Sequence, residues 1–152
     1  MADTQPLDAL EKVKAAAVVA QADDFISNSP EGYLTEVAER GMSLSGGQKQ
    51  RLSIARAVVK KAEIMIFDDS TSALDLKTEA DLYEALHKAN PESTKIIVAQ
   101  RIASVRRANR IVILDHGRVT ACGSHEDLMK NCRTYKEIYD SQMGEESECN
   151  GR

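Results

Sequence analysis

Two kinds of apolar pattern alternate along the chain. Stretches with an apolar residue every three or four positions predict amphipathic helices; one ends near Gln21, and another follows Ser45 to about Lys60. A continuous apolar run at 64–67, and a stretch at 95–99 that is apolar after Lys95, instead predict strands buried on both faces, as in a parallel sheet. The alternation of strands with helices predicts an α/β fold.

Turn signals predict where the later elements begin and end. Pro91 ends a helix predicted over about 76–89. Asp115-His116-Gly117 lies between two apolar runs and predicts a hairpin. From 143 to 152 the chain is rich in Glu and Ser, so we expect a disordered tail there.

Composition limits the classes of function. The chain has 152 residues, of which 42% are hydrophobic and 29% charged, which is typical of one globular domain. The formal net charge of −4 gives no positive field, so we expect no nucleic-acid partner. The three cysteines form no Cys-x-x-Cys pair, which favours reduced thiols in a cytosolic protein.

The helix that begins after Ser45 has an unusual first turn. Ser45 is a good N-cap, and Gln48 has the spacing of a capping box. Gly46 and Gly47 expose their backbone N–H groups at the positive end of the helix dipole. Such a terminus suits a phosphate. An ordinary capped helix with a Gly-Gly turn explains these five residues from Leu44 equally well.

Two carboxylates follow the first predicted strand. Asp68 and Asp69 come directly after the apolar run 64–67. The carboxyl end of a parallel strand is where open α/β sheets bind ligands, and a carboxylate there can hold Mg²⁺. We therefore single out Asp68 as a candidate magnesium ligand. A surface turn is the equally open alternative, because Asp, Ser and Thr are also common in loops.

Four motifs together resemble the nucleotide-binding domain of ATP-binding-cassette (ABC) transporters of the exporter type. Leu-Ser-Gly-Gly-Gln at 44–48 matches the family signature, and 64–68 looks like the Walker B strand. The stretch 96–101 is similar to the switch strand. The D-loop is matched by Ser72, Ala73, Leu74 and Asp75. The resemblance covers nearly all of 8–139.

The resemblance implies a partial P-loop NTPase domain. Residues 5–62 would form the helical signature subdomain, and 63–142 the C-terminal part of the RecA-like ATPase core. ATP and Mg²⁺ are the implied cofactors. The signature would bind the nucleotide of a second ABC subunit through Ser45, Gly46, Gly47 and Gln48.

The family also implies a membrane partner. The segment 35–41 resembles the loop through which exporters touch their transmembrane domain, although Ala38 stands where the family usually has Gly. This assigns coupling to that domain to Thr35, Glu36, Glu39 and Arg40. The resemblance places such a subunit at the cytoplasmic face of the cell membrane.

Three departures from the family qualify this expectation. No Gly-x-x-x-x-Gly-Lys-[Ser/Thr] pattern occurs, so we expect no ATPase activity from this chain alone. Asp69 stands where the family has the catalytic Glu and is one methylene shorter, although proton transfer needs hydrogen-bond contact. Gln100 replaces the switch His and cannot become a cation.

Both of these replacements act on the subunit's own nucleotide, whereas the signature is intact. We therefore expect the degenerate-site subunit of a heterodimer. Two alternatives remain open at this stage. One is a remnant without catalysis; the other is a non-transport ATPase of the superfamily, which the lack of heptad insertions disfavours.

Overall fold

The computed structural model describes residues 6–38 and 41–149, and the side chains of 8–38 and 41–143. The chain divides into two units, Met1–Val98 and Ala99–Arg152. The first unit contains α1 (Pro6–Val19), α2 (Asp23–Ser27), a 3₁₀ turn (Gly32–Leu34), α3 (Gly46–Val59), β1 (Ile64–Asp68), α4 (Leu76–Ala89) and β2 (Thr94–Val98). The second contains α5 (Ile102–Val105), β3 (Ile111–Asp115), β4 (Arg118–Gly123), α6 (His125–Asn131) and α7 (Arg133–Cys149).

The first unit is built on one βαβ arrangement. Strands β1 and β2 pair in parallel, with Ile64 opposite Thr94 and Asp68 opposite Val98. Helix α4 connects the two strands, since parallel neighbours need a crossover. This confirms the α/β prediction and brings the carboxyl end of β1 next to that of β2.

One apolar core joins the helices of the first unit to β1. Ala16 and Ala17 of α1 are buried, and their small side chains let the helices approach closely. The buried residues of α3 are Ile54, Ala55 and Val58, whereas Val59 is exposed. The remaining core members come from both sides of the predicted domain boundary at 62: Ala16, Ala17, Ala20, Ala22, Met65, Phe67, Leu74, Leu82 and Leu86.

The β1–β2 pair buries only one of its faces within the described residues. Met65 and Phe67 are buried, and the Phe67 ring meets Tyr83 of α4 edge to face. On the other face Ile64 and Ile66 are 60% and 67% exposed, and Ile96 and Val98 of β2 are also exposed. The prediction of strands buried on both faces is therefore wrong for this part of the chain, because side chains alternate across the sheet and the described helices cover one side.

The second unit combines a hairpin with three helices. The two residues between β3 and β4 are His116 and Gly117, with φ of 46° and 75°. Two consecutive positive φ angles are the mark of the type I′ turn that matches strand twist. The hairpin prediction is confirmed. The unit has its own small core, formed by Ile102, Ile111, Leu128 and Tyr135.

The predicted disordered tail is partly helical. Helix α7 continues to Cys149, although the sequence predicts disorder from 143. The glutamates at 145, 146 and 148 explain the difference, because Glu is a good helix former and extends a helix that packing has already nucleated. Across the described residues, no helix is both long and apolar enough to cross a membrane.

Candidate functional site

The N-terminal turn of α3 has the cap that the sequence predicts. The Ser45 backbone N–H donates to Gln48 Oε1 at 2.9 Å, and the Gln48 N–H donates to Ser45 Oγ at 3.2 Å. This reciprocal pair confirms the capping box. The amides of Gly46 and Gly47 belong to the first turn, where no intrahelical acceptor exists. They are therefore available to an anion at the positive end of the helix dipole.

Gly47 also permits a close contact with the turn after β1. A Cβ added at Gly47 would lie 3.1 Å from the Ala73 carbonyl oxygen and 3.3 Å from Leu74 Cδ2. At Gly46 the same addition would meet the Ala73 Cβ at 3.5 Å, which is an ordinary contact. The signature and the D-loop match thus touch within one chain, and Gly47 is the position that the contact requires.

Asp69 has an unusual backbone conformation. Its φ of 48° lies in the left-handed region, which Asp tolerates better than most residues but still at a cost. Hydrogen bonds hold the residue on both sides: its N–H donates to the Val98 carbonyl at 3.0 Å, and its own carbonyl accepts from Ser72 Oγ at 3.1 Å. Such over-determined backbones are frequent at functional sites.

Gln50 is the site residue that sequence reasoning missed. Its Nε2 donates to the Asp69 carbonyl at 3.2 Å and to Ser72 Oγ at 3.0 Å. Its Oε1 accepts from the Ala73 N–H at 3.0 Å. The available signal was helical spacing, because Gln50 lies three and four residues after the two glycines and so shares their face of α3.

Arg51 attaches the same helix to the preceding helices of the first unit. It donates through Nε to the Gly47 carbonyl at 3.3 Å, and through a terminal nitrogen to the Gln21 carbonyl at 2.7 Å. The guanidinium also lies 5.0 Å from the centre of the Phe25 ring, a cation–π arrangement. Like Gln50, Arg51 was not predicted as a site residue.

Hydrogen bonds hold the D-loop match at Leu74 and at Asp75, where α4 begins. Leu74 is buried, and its N–H donates to the Thr71 carbonyl at 3.0 Å. Thr71, also buried, donates through its hydroxyl to the buried Glu79 of α4. Asp75 caps α4 by accepting from the Thr78 N–H at 2.9 Å and the Thr78 hydroxyl at 2.6 Å. The Thr78 hydroxyl bond, with the backbone bond after it, lowers the pKa of Asp75.

Asp68 is the described residue best suited to a magnesium ion. It ends β1 and is exposed, and within the described part of the chain no hydrogen bond or ion pair engages its carboxylate. The described residues contain no group of three or more His, Cys, Asp or Glu that could hold a metal. Mg²⁺ commonly uses only one or two carboxylates together with phosphate oxygens, so Asp68 fits such a partial ligand set.

The predicted coupling residues Thr35 and Glu36 follow the 3₁₀ turn of the first unit. Thr35 accepts a hydrogen bond from the Glu31 N–H at 3.1 Å, and Glu36 is exposed. Glu39 and Arg40 lie outside the described residues. Gln100 belongs to the second unit, where its side chain is exposed and its carbonyl accepts from Gln142 Nε2 at 2.8 Å.

Comparison with known proteins identifies the family. The ABC transporter family model matches residues 3–72. A bacterial Atm1-family ABC exporter, solved with ATP bound, is 42% identical with a TM-score of 0.84, over 88% of this chain and 24% of that one. The chain belongs to the ABC transporter family. The match confirms the partial ATPase fold, and the family implies ATP as the ligand of this domain.

Curated relatives are similarly close but much longer. The mitochondrial potassium channel ATP-binding subunit of Pongo abelii is 49% identical over 128 residues, which are 84% of this chain and 18% of that protein. ABC transporter B family member 1 of Arabidopsis thaliana is 53% identical over 116 residues, 76% of this chain and 9% of that protein. The chain therefore spans less than a fifth of the length of these two relatives.

Proposed function

We propose that this chain is the signature-bearing part of the ATP-binding domain of an ABC exporter. In this role ATP binding and hydrolysis drive a transmembrane domain, and the chain presents its signature to the nucleotide of a second ABC subunit. The single observation that carries the proposal is the capped N-terminus of α3. There Gly46 and Gly47 offer unpaired amides without side chains, which suits a γ-phosphate.

The chain's own nucleotide site is proposed to be degenerate. Asp69 is one methylene shorter than the Glu that polarises water in this family. Its backbone is held at both the N–H and the carbonyl, and these bonds restrain the main chain from shifting to compensate for the shorter side chain. Gln100, in place of His, removes the group that could carry positive charge toward the γ-phosphate.

Asp68 is the residue proposed to hold Mg²⁺ at that site. The bound ion would offset phosphate charge there. Asp68 itself contributes a carboxylate that is exposed and not occupied by another described residue. Because Mg²⁺ is commonly bound through only one or two protein carboxylates together with phosphate oxygens, Asp68 can support binding even where hydrolysis is slow.

The proposal of a heterodimer rests on a contrast within the chain. Its signature is intact, whereas the catalytic residues for its own nucleotide are replaced. In a homodimer, two intact signatures would face two impaired catalytic sets. A partner with Glu and His would instead receive this intact signature and hydrolyse ATP. We propose that the segment 35–41 contacts the transmembrane domain at the cytoplasmic membrane face, through Thr35, Glu36, Glu39 and Arg40.

Two substitutions in the assembled exporter test the roles. Ser45→Arg should nearly abolish ATPase activity, because a bulky cation blocks the phosphate approach at the capped turn, whereas Ser53→Arg on the same helix is the matched control. Asp69→Asn should change the rate little, since its site contributes little turnover. If Asp69→Asn stops hydrolysis and Ser45→Arg spares it, the proposed roles are reversed. An assembled wild type without ATPase activity would favour the non-catalytic remnant.

A further inference from the structure

Gln50 bonds the turn after β1 with both polar atoms of its side-chain amide. It belongs to α3, one turn after the signature glycines. Its partners are the carbonyl of Asp69, the hydroxyl of Ser72 and the amide of Ala73. The amide of Gln50 uses its donor and its acceptor here, so it fixes both the distance and the orientation between helix and turn.

The position of Gln50 makes these bonds effective. The side chain is half-buried, and its backbone is part of a capped 14-residue helix. Gly47, one turn earlier on the same face, lies in close contact with the Ala73 carbonyl. Two independent features therefore act on the same contact between helix and turn. The amide bonds of Gln50 hold the turn, and the absence of a Cβ at Gly47 lets it approach.

We propose that Gln50 is a positioning residue that keeps the Ser72–Ala73 turn aligned with the signature turn, so that both are presented to the partner's nucleotide as one surface. The inference rests on the proposed exporter function. In this role Gln50 contacts neither nucleotide and acts through Ala73, Ser72 and the Asp69 backbone. Its loss should affect the partner's hydrolysis more than loss of the Asp69 carboxylate does.

Two variants separate the bonds of Gln50. Gln50→Met has a similar length and can make none of them, whereas Gln50→Glu keeps an acceptor for the Ala73 N–H but loses the donor to Asp69 and Ser72. Arg56→Met is the control, because Arg56 lies on the same helix and is exposed. Amide hydrogen exchange at Ala73 should be about fivefold to tenfold faster in Gln50→Met, the fold-change expected for one net hydrogen bond. In Gln50→Glu and Arg56→Met it should stay near the wild-type rate.

The functional measurement is the steady-state ATPase rate of the assembled exporter. Gln50→Met should lower kcat about tenfold with KM for ATP within twofold, and Gln50→Glu should lower kcat also, because the Asp69 and Ser72 bonds are lost in both. Asp69→Asn should have a smaller effect than either. A merely structural role would lower the melting temperature and the amount of assembled protein without this split between kcat and KM.

The two proposals fail in different ways. If Gln50→Met matches Arg56→Met in both Ala73 exchange and kcat, the positioning role is wrong. If Asp69→Asn lowers kcat more than Gln50→Met does, the proposed degenerate site is wrong instead. If the wild-type assembly shows no ATPase activity, the exporter function is wrong, and unchanged Ala73 exchange in Gln50→Met would still refute the contact.

Discussion

Gly46 and Gly47 offer a matched pair for testing the contact between the signature helix and the D-loop match. Both lie in the first turn of α3, so alanine should improve intrinsic helix propensity similarly at either position, by up to about 1 kcal/mol. Their surroundings differ. A new Cβ at Gly46 meets Ala73 Cβ at an ordinary 3.5 Å, whereas at Gly47 it lies 3.1 Å from a backbone carbonyl.

The expected magnitude follows from that distance. At 3.1 Å the Ala73 carbonyl must move by a few tenths of an ångström, and Gln50 and Leu74 restrain this turn. Overpacking of this kind costs about 1–3 kcal/mol. The gain in helix propensity is similar in both variants, so it cancels when they are compared. We therefore expect Gly47→Ala to have a free energy of unfolding roughly 1–3 kcal/mol lower than Gly46→Ala.

Urea unfolding followed by far-ultraviolet circular dichroism measures this difference. It should be done on the wild type and both variants, at concentrations where light scattering shows no association. Gly46→Ala should be equal to or more stable than the wild type. Equal midpoints for the two variants would refute the reasoning, because the close approach of Ala73 would then carry no energetic cost. A more stable Gly47→Ala would refute it as well.

Two further predictions concern the isolated chain. Calorimetric titration with Mg-ATP should detect no site tighter than millimolar, because the chain has no phosphate-binding Gly-Lys loop; a stoichiometric micromolar site would contradict this. The isolated chain should also self-associate through the exposed apolar face of β1 and β2. Ile66→Thr should therefore reduce light scattering more than the control Leu114→Thr, which changes an exposed residue of the second unit. Equal effects of the two variants would contradict this assignment.

Local signals predicted most of the fold. The capping box at Ser45, the end of α4 before Pro91 and the hairpin turn at His116 each depend on residues close in sequence. Burial was harder to predict. The apolar run 64–67 contains no alternation, so nothing in it distinguishes a strand covered on two faces from one covered on one face.

The residues of the site were predicted from local motifs, but the contacts between them were not. Motif residues such as Gly46 and Asp69 were identified from short strings, but their mutual contact depends on how α3 packs against the turn after β1. The role of Gln50 depends on three partners that are 19 to 23 residues away in sequence. No single-sequence pattern encodes such a contact, since Gln is also common on solvated helix faces.

Tyr33 gives the last prediction, which concerns alkaline pH. It lies in the 3₁₀ turn just before the segment 35–41, and its hydroxyl donates to Asp23 of α2. Burial, followed by this bond and the charge of Asp23, raises the pKa of Tyr33 from 10.0 to about 12. The folded state thus holds this proton more tightly than the unfolded state does. The resulting stabilisation is complete below pH 10 and is lost as the pH rises through about 12.

Ultraviolet titration of the phenolates separates the causes of this shift. Tyr33→Phe should remove a late-titrating fraction and flatten the loss of stability between pH 10 and 12. Asp23→Asn removes the negative charge but leaves the burial that is the largest cause. The pKa of Tyr33 should therefore fall in Asp23→Asn and still remain above 10. A complete return to 10 would mean that Asp23 alone holds the proton, and that the 3₁₀ turn around Tyr33 is open to solvent.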